Sequence, residues 1–240
     1  MRSLWLFIPT VLLFFTFPSG ASSEVIVHDL IAVRGKKITI RVETRGKFFS
    51  KGGEVVELSI DGKPLGSILS GGDGFAFRQF TPVQTGIHRI TAKSGTAEGS
   101  GLLLSLKKGA GIVFVDVEGS LLESPFSRKP RKGSREGTEE LSRRFPVVFL
   151  SSGIAGAKAL KSWLKENGFP ELPVVAWKGG KIFEDTHEKG LTIKAIIGGP
   201  DVIVSAREYR PKAFSFMEAE GAQEVKDWEE MRKLLRSAGF

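Results

Sequence analysis

The chain contains no cysteine. That absence removes disulfides, thiolate nucleophiles and zinc-thiolate sites from consideration, and with them the acylated cysteine of a lipid-anchored lipoprotein. A long apolar run occurs only at the N-terminus, so no transmembrane segment is expected in the remainder. No internal repeat is visible. No stripe of lysine and arginine is interleaved with aromatic residues, so nucleic acid is not expected as a partner. The basic excess is moderate: 35 Lys and Arg against 27 Asp and Glu give a net charge of +8, shared by both halves. Such a balance suits a generally basic surface that an anionic surface or a phosphate-bearing ligand could meet.

What is present begins with Arg2, an almost unbroken apolar run over 4–17 that holds Pro9, then Pro18 and the small residues Ser19, Gly20 and Ala21. A positive start, a short apolar core and small residues at the −3 and −1 positions describe a secretory signal peptide over 1–21, cleaved after Ala21. The mature protein is then exported, periplasmic or secreted, and starts at Ser22. The rival reading is an uncleaved N-terminal anchor. Roughly 220 residues remain, enough for one large or two small domains with their own cores.

Composition changes near Lys107-Lys108-Gly109. Residues 24–106 are short alternating runs rich in Val, Ile, Leu and Thr, at 25–27, 37–42, 55–60, 75–80, 88–92 and 102–106. Turn sequences such as Asp61-Gly62, Gly71-Gly72-Asp73-Gly74 and Thr85-Gly86 separate them. This grammar predicts an all-β antiparallel sandwich. The segment from Phe80 to Ala92 resembles the late strands of bacterial immunoglobulin-like domains, which implies an immunoglobulin-like fold and nothing about ligands. His88 alternates with Ile87 and Ile90 and is expected on a strand surface, without metal partners.

From Gly109 to Phe240 the pattern becomes strand, helix, strand. Apolar runs at 112–115, 147–150, 174–176, 202–204 and 213–216 read as strands, and amphipathic stretches at 138–144, 156–167, about 187–197 and 225–235 read as helices. The arrangement predicts an α/β, Rossmann-like parallel sheet covered on both faces, with ligands at the carboxyl edge of its strands. This half is expected to fold alone.

At that edge the first strand ends in Asp116-Val117-Glu118-Gly119-Ser120 and the second in Ser151. The two motifs resemble those of the haloacid dehalogenase-like (HAD) phosphatase superfamily and, faintly, its lipin-type phosphatidate phosphatase branch. The resemblance covers residues 110–237. It implies Asp116 as nucleophile, Glu118 as the acid that protonates the leaving oxygen, Ser151 as the phosphate-binding hydroxyl, Lys194 or Lys189 as the cation, and a late acid helping Asp116 to hold Mg2+. The physical need is an in-line carboxylate, a cation against repulsion and a proton for the leaving group.

The sequence departs from that pattern. Glu118 stands where the family has aspartate, and one methylene shifts a carboxylate by on the order of 1 Å. Asp201 precedes the strand expected at 202–204 and so lies at its amino edge, which leaves Glu208 as the only acid beyond it and the third metal-ligand candidate beside Asp116 and Glu118. The plainer readings are a strand-end turn for Asp116 to Ser120, helix capping for Ser151-Ser152-Gly153 and an exposed helix position for Lys194. The basic run Arg128 to Arg135 reads as a solvated loop, or as a flap that meets a phosphate or an anionic headgroup. His187, beside Glu184, Asp185 and Glu188, reads as a charged turn and helix start. Two functions therefore compete. One is an exported HAD-like phosphatase or pseudoenzyme with weak or lost Mg2+-dependent hydrolysis. The other is a non-catalytic envelope scaffold that binds an envelope partner through both halves.

Overall fold

The computed structural model describes residues 23–47, 49–124, 127–153 and 155–237; the expected signal peptide at 1–21 lies outside them. Among the described residues, no helix is long and apolar enough to cross a membrane.

The first half forms eight strands: β1 (Glu24–Val27), β2 (Leu30–Val33), β3 (Ile38–Arg45), β4 (Val55–Ile60), β5 (Lys63–Leu69), β6 (Phe75–Phe80), β7 (Gly86–Ser94) and β8 (Ala97–Leu106). They build two facing sheets, β1-β3-β6 and β2-β8-β7-β4-β5. All pairings are antiparallel except β2 with β8. Inward residues from both sheets, among them Ile40, Val42, Leu58, Ile90 and Leu103, form the core between them, as the period-2 alternation requires. Asp61 and Gly62 both adopt positive φ, 48° and 77°, the geometry of a two-residue hairpin turn matched to strand twist. It joins β4 to β5, an edge strand with little burial and hence little alternation in its sequence.

The second half contributes β9 (Gly111–Asp116), β10 (Val147–Ser151), β11 (Val174–Ala176), β12 (Thr192–Ile197), β13 (Lys212–Ser215) and β14 (Gln223–Glu224). The helices are α1 (Ser134–Arg144), α2 (Ala157–Glu166), α3 (Lys181–Glu188), α4 (Pro200–Val204) and α5 (Trp228–Ser237). The strands lie in the order β11-β10-β9-β12-β13-β14, every neighbouring pair parallel. The chain winds outward from β9 to β11 and then crosses back to β12, so the loops after β9 and β12 diverge where the strand order reverses, the place where such sheets hold ligands.

Two elements differ from the sequence expectation. Residues 192–197 form the strand β12, not the end of a helix, and residues 200–204 form the helix α4, not a strand. The chemistry of Pro200 explains the exchange: it has no N–H for a central ladder but suits the first turn of a helix. Between β9 and β13, the end of β12, Ala195 to Ile197, is buried on both faces, so its apolar run carries no alternation.

The two halves share an apolar interface. One face of the parallel sheet, with Val113, Val115 and Phe149, packs under α1, α2 and α5. The other face, with Ile112, Phe114, Val148 and Leu150, meets α3 and α4 and also Ile31, Val33, Leu104 and Leu106 from β2 and β8. Those helices span only 8 and 5 residues, and the sandwich supplies the missing cover. A polar clasp joins the same surfaces. The side chain of Asp29 is fully buried and pairs with Lys161 Nζ at 2.5 Å. The same carboxylate accepts from the Leu102 amide and from the Val174 amide of β11, each at 2.7 Å. Exposed pairs Lys158–Glu24 and Arg89–Glu171 flank it.

Candidate functional site

β9 delivers Asp116 to the carboxyl edge, and the chain then makes one π-helical turn over Val117–Leu121. The turn is pinned at both ends. Ser120 Oγ donates to the Asp116 carbonyl at 2.5 Å, and the buried Trp228 of α5 donates Nε1 to the Ser120 carbonyl at 3.0 Å.

Asp116 is only 2% exposed. Its Oδ1 accepts from Ser152 Oγ at 2.5 Å and its Oδ2 from the Gly199 amide at 3.0 Å; the amides of Glu118 and Gly119 also donate to the carboxylate. Two glycines let the backbone approach this closely. A Cβ on Gly119 would stand 2.2 Å from Asp116 Oδ2 and 2.5 Å from the Gly199 nitrogen, and one on Gly198 would stand 2.8 Å from Asp116 Cβ. The loops after β9 and β12 therefore seal over the carboxylate. Gly119→Ala is expected to lower stability by about 1–3 kcal/mol, the usual cost of overpacking, as a fall in the urea midpoint. An unchanged midpoint would mean that the seal has slack.

Glu118 turns toward the same serine: the Ser152 amide donates to Oε2 at 3.1 Å, and Ser152 Oγ stands 3.5 Å away. Its Oε1 is buried without a hydrogen bond. Burial pushes the Asp116 carboxyl above its ordinary range against the pull of its four donors. Burial also raises Glu118, and the neighbouring Asp116 charge adds to that rise. The arrangement is a buried and a half-buried carboxyl sharing one hydroxyl, suited to holding a proton and to tying three loops together.

The other residues singled out by sequence lie elsewhere. Ser151 Oγ donates to the Ala155 carbonyl at 2.9 Å, so the hydroxyl at Asp116 is that of Ser152, one residue on. No side chain caps α2, so the capping role is not taken up either. Lys194 sits at a bulge early in β12; its side chain lies against the Gly111 backbone, and its ammonium is 5.0 Å from the Phe145 ring centroid. Lys189 follows α3, and the next residue, Gly190, accepts a hydrogen bond from Gly109. Both lysines are therefore toward the amino edge; at about 3.3 Å per residue Lys194 lies about 12 Å and Lys189 more than about 20 Å along β9 from Asp116. Glu208 lines a groove with Thr192 and Ile193 at that amino edge and does not join the acids at the other end. The sequence argument put the helix and the strand of this region the wrong way round, and the lysines and Glu208 moved with them. By the same exchange Asp201 follows β12 at the carboxyl edge, exposed on the first turn of α4.

Mg2+ requires several oxygen ligands; both Asp116 oxygens already accept from N–H and O–H donors, and the Glu118 carboxylate is the other acidic oxygen donor at the same serine. Among the described residues no group of three His, Asp or Glu side chains could hold a metal.

The backbone of the basic segment is fastened to the body, while Arg128, Lys129, Lys132 and Arg135 remain exposed to solvent. Pro130 bridges to Leu122, the Arg131 amide donates to the Leu121 carbonyl at 2.6 Å, and the Arg131 guanidinium lies 4.6 Å from the Phe216 ring centroid. Trp163 Nε1 donates to the Arg128 carbonyl at 2.7 Å. His187 lies in α3 with its ring 5.3 Å from that of Tyr209, and His88 bonds Asp61 at 2.7 Å.

No family model matches the sequence, and no curated protein matches it. Among solved structures, the D00-D0 domain of Intimin is similar at 13% identity and a TM-score of 0.30, over 35% of this chain and 46% of that one. The IG27 protein domain follows at 14% and 0.31, over 36% and 96%. Domains 4 and 5 of the S-layer protein SbsC stand at 17% and 0.25, over 34% and 50%. These neighbours are immunoglobulin-like β domains, alike over about a third of the chain. At such scores nothing about function rests on them.

Proposed function

We propose that this chain is an exported, non-catalytic envelope protein in which the sandwich and the parallel sheet form one binding scaffold, the α/β half being a HAD-like framework whose catalytic edge is closed. The strand order, the acid ending the first strand and the serine hydroxyl after the second support the HAD-like framework. The apolar leader supports export. The observation that carries the non-catalytic reading is the state of Asp116: buried, satisfied by four donors and roofed by Gly119 and Gly199. Phosphoryl transfer needs an open approach to the carboxylate and a cation beside it. The two lysines the resemblance offered stand at the opposite edge.

The test is Asp116→Asn, which keeps the shape, can still accept from the Gly199 amide, and can donate to Ser152 Oγ. The raised Asp116 and Glu118 pKa values set the sign of the pH effect. A carboxyl whose folded pKa lies above its unfolded value contributes stability that is fully present below the ordinary carboxylate range and is lost as pH rises through the folded value. Wild type is therefore expected to lose stability from pH 4 toward neutrality, while Asp116→Asn has a shallower slope and a gain on the order of 1 kcal/mol at pH 7, read from urea midpoints. Neither protein is expected to hydrolyse an aryl phosphate with or without Mg2+. Robust Mg2+-dependent turnover abolished by Asp116→Asn would overturn this reading and establish the phosphatase.

A further inference from the structure

Three turns meet at the amino edge of the parallel sheet, the end of the molecule opposite Asp116. The first follows β2: the Arg34 amide donates to the Leu106 carbonyl at 2.7 Å, and the Lys36 amide to the Val33 carbonyl at 3.0 Å. The second joins β8 to β9, where the Ala110 amide donates to the Lys107 carbonyl at 3.1 Å. The third leads from α3 into β12, and its Gly190 carbonyl accepts from the Gly109 amide at 2.8 Å. Each turn contains a glycine of positive φ, Gly35, Gly109 and Gly190 at 78°, 79° and 75°, which lets the chain reverse sharply there. The turns carry Arg34, Lys36, Lys37, Lys107, Lys108 and Lys189, all exposed. None of the six makes an ion pair among the described residues, and no Asp or Glu lies outside those residues in the sequence. The groove beside Thr192 brings Glu184, Glu188 and Glu208 next to this end. Glu184 is paired with Lys181, Tyr209 donates a hydrogen bond to Glu208, and Arg210 lines the same groove, so the six cations remain in excess.

The form of that surface selects its partner. Five of the six cations are lysines, compact point charges without the planar fork that grips one fixed group. None of the six lines the groove at Thr192 or the one between α1 and α5, so they offer charge density and not a pocket. The turns hold no aromatic residue, and the exposed apolar side chains of the adjoining loop and strand, Val83 and Ile87, are aliphatic. A bilayer would gain from an inserted ring and a single-stranded nucleic acid from a ring to stack on. A flexible polymer dense in negative charge needs neither: it lies across successive turns, meets each cation and releases its counterions.

We propose that this basic end of the molecule binds a flexible linear polyanion. The proposal supplies the partner class for the scaffold reading and rests on that reading, but not on the state of Asp116. The experiment is titration of the processed chain against fluorescently labelled linear polyphosphate, read as anisotropy. Binding is expected, with log K falling linearly against log salt at a slope of about −4 when all six cations engage. Lys107→Glu with Lys108→Glu is expected to weaken binding at least about tenfold, as is Arg34→Glu with Lys36→Glu. Both pairs should keep the wild-type thermal midpoint, because the side chains are already in water. Lys129→Glu with Lys132→Glu makes the same change in net charge at the carboxyl edge and is expected to alter binding by less than about twofold, since charges beyond a Debye length are screened. Absence of binding, a slope near zero, indifference to both pairs at the amino edge, or a loss as large in the Lys129 and Lys132 pair would each overturn the proposal. Tighter binding to phosphatidylglycerol vesicles, or to an oligodeoxythymidylate of matched charge, would overturn it in favour of a membrane or a nucleic acid. Phosphatase turnover abolished by Asp116→Asn would sink the scaffold reading without altering this titration, and absent polyanion binding would leave the Asp116→Asn comparison as it is, so the two fail separately.

Discussion

A fragment beginning at Gly109 is expected to lack a fixed tertiary structure, although it contains every strand and helix of the parallel sheet. Its outer face loses Ile31, Val33, Leu104 and Leu106, all of them buried. At about 1.5–3 kcal/mol for each fully buried aliphatic side chain, that is about 6–12 kcal/mol, comparable to the whole stability of an ordinary domain, about 5–15 kcal/mol. The Ile112, Phe114, Val148 and Leu150 side chains would then face water through the gap beside α3 and α4. The expected signature is helical far-ultraviolet circular dichroism with weak near-ultraviolet signal and a broad urea transition. The full chain should unfold in one cooperative step. A fragment that unfolds as sharply as the full chain, at the same midpoint, would show that the shared core is dispensable.

The second large effect is expected at Asp29. Asp29→Ala leaves the Leu102 and Val174 amides without an acceptor and Lys161 without its partner. Breaking a buried ion pair by removing one partner costs about 3–5 kcal/mol. The lower end applies here, because Lys161 is 32% exposed and can turn to water. Asp29→Asn, which retains one acceptor, should fall between wild type and alanine. Glu171→Gln, at the exposed pair with Arg89, should barely move the midpoint. If Asp29→Ala and Glu171→Gln shift the urea midpoint equally, the clasp is no more than a surface pair.

How far these features were legible varies along the chain. The continuous apolar run of β9 and the alternation in β3, β4 and β7 reveal themselves locally, because a side chain's burial there follows from strand geometry. β2 and β5 are hidden for opposite reasons. β2 has four residues and little polar alternation, while β5 is an edge strand whose side chains are mostly in water. One signal was readable and passed over. The run Leu102-Leu103-Leu104-Ser105-Leu106 has no polar alternation, as a strand buried on both faces requires, and it marks where the sandwich meets the parallel sheet. Another was Gly198-Gly199-Pro200, which ends a strand and starts a helix.

The sequence by itself determined that an all-β half precedes a half of alternating strands and helices, and the place of Asp116 and Glu118 at the end of the first parallel strand, because hydrophobic period and turn chemistry are local properties of the chain. Only the tertiary structure decided what surrounds those acids. Ser152 rather than Ser151 meets Asp116, because parallel register sets Leu150 opposite Asp116 and the chain turns in after Ser151. Lys194, Lys189 and Glu208 fall at the amino edge, because β12 rather than 202–204 is the strand beside β9. Whether a carboxylate is open to a ligand or closed by its own backbone depends on the approach of Gly119 to the Gly198-Gly199 pair, more than 75 residues further along the chain. No local pattern encodes that separation; it follows from the order in which the strands lie side by side.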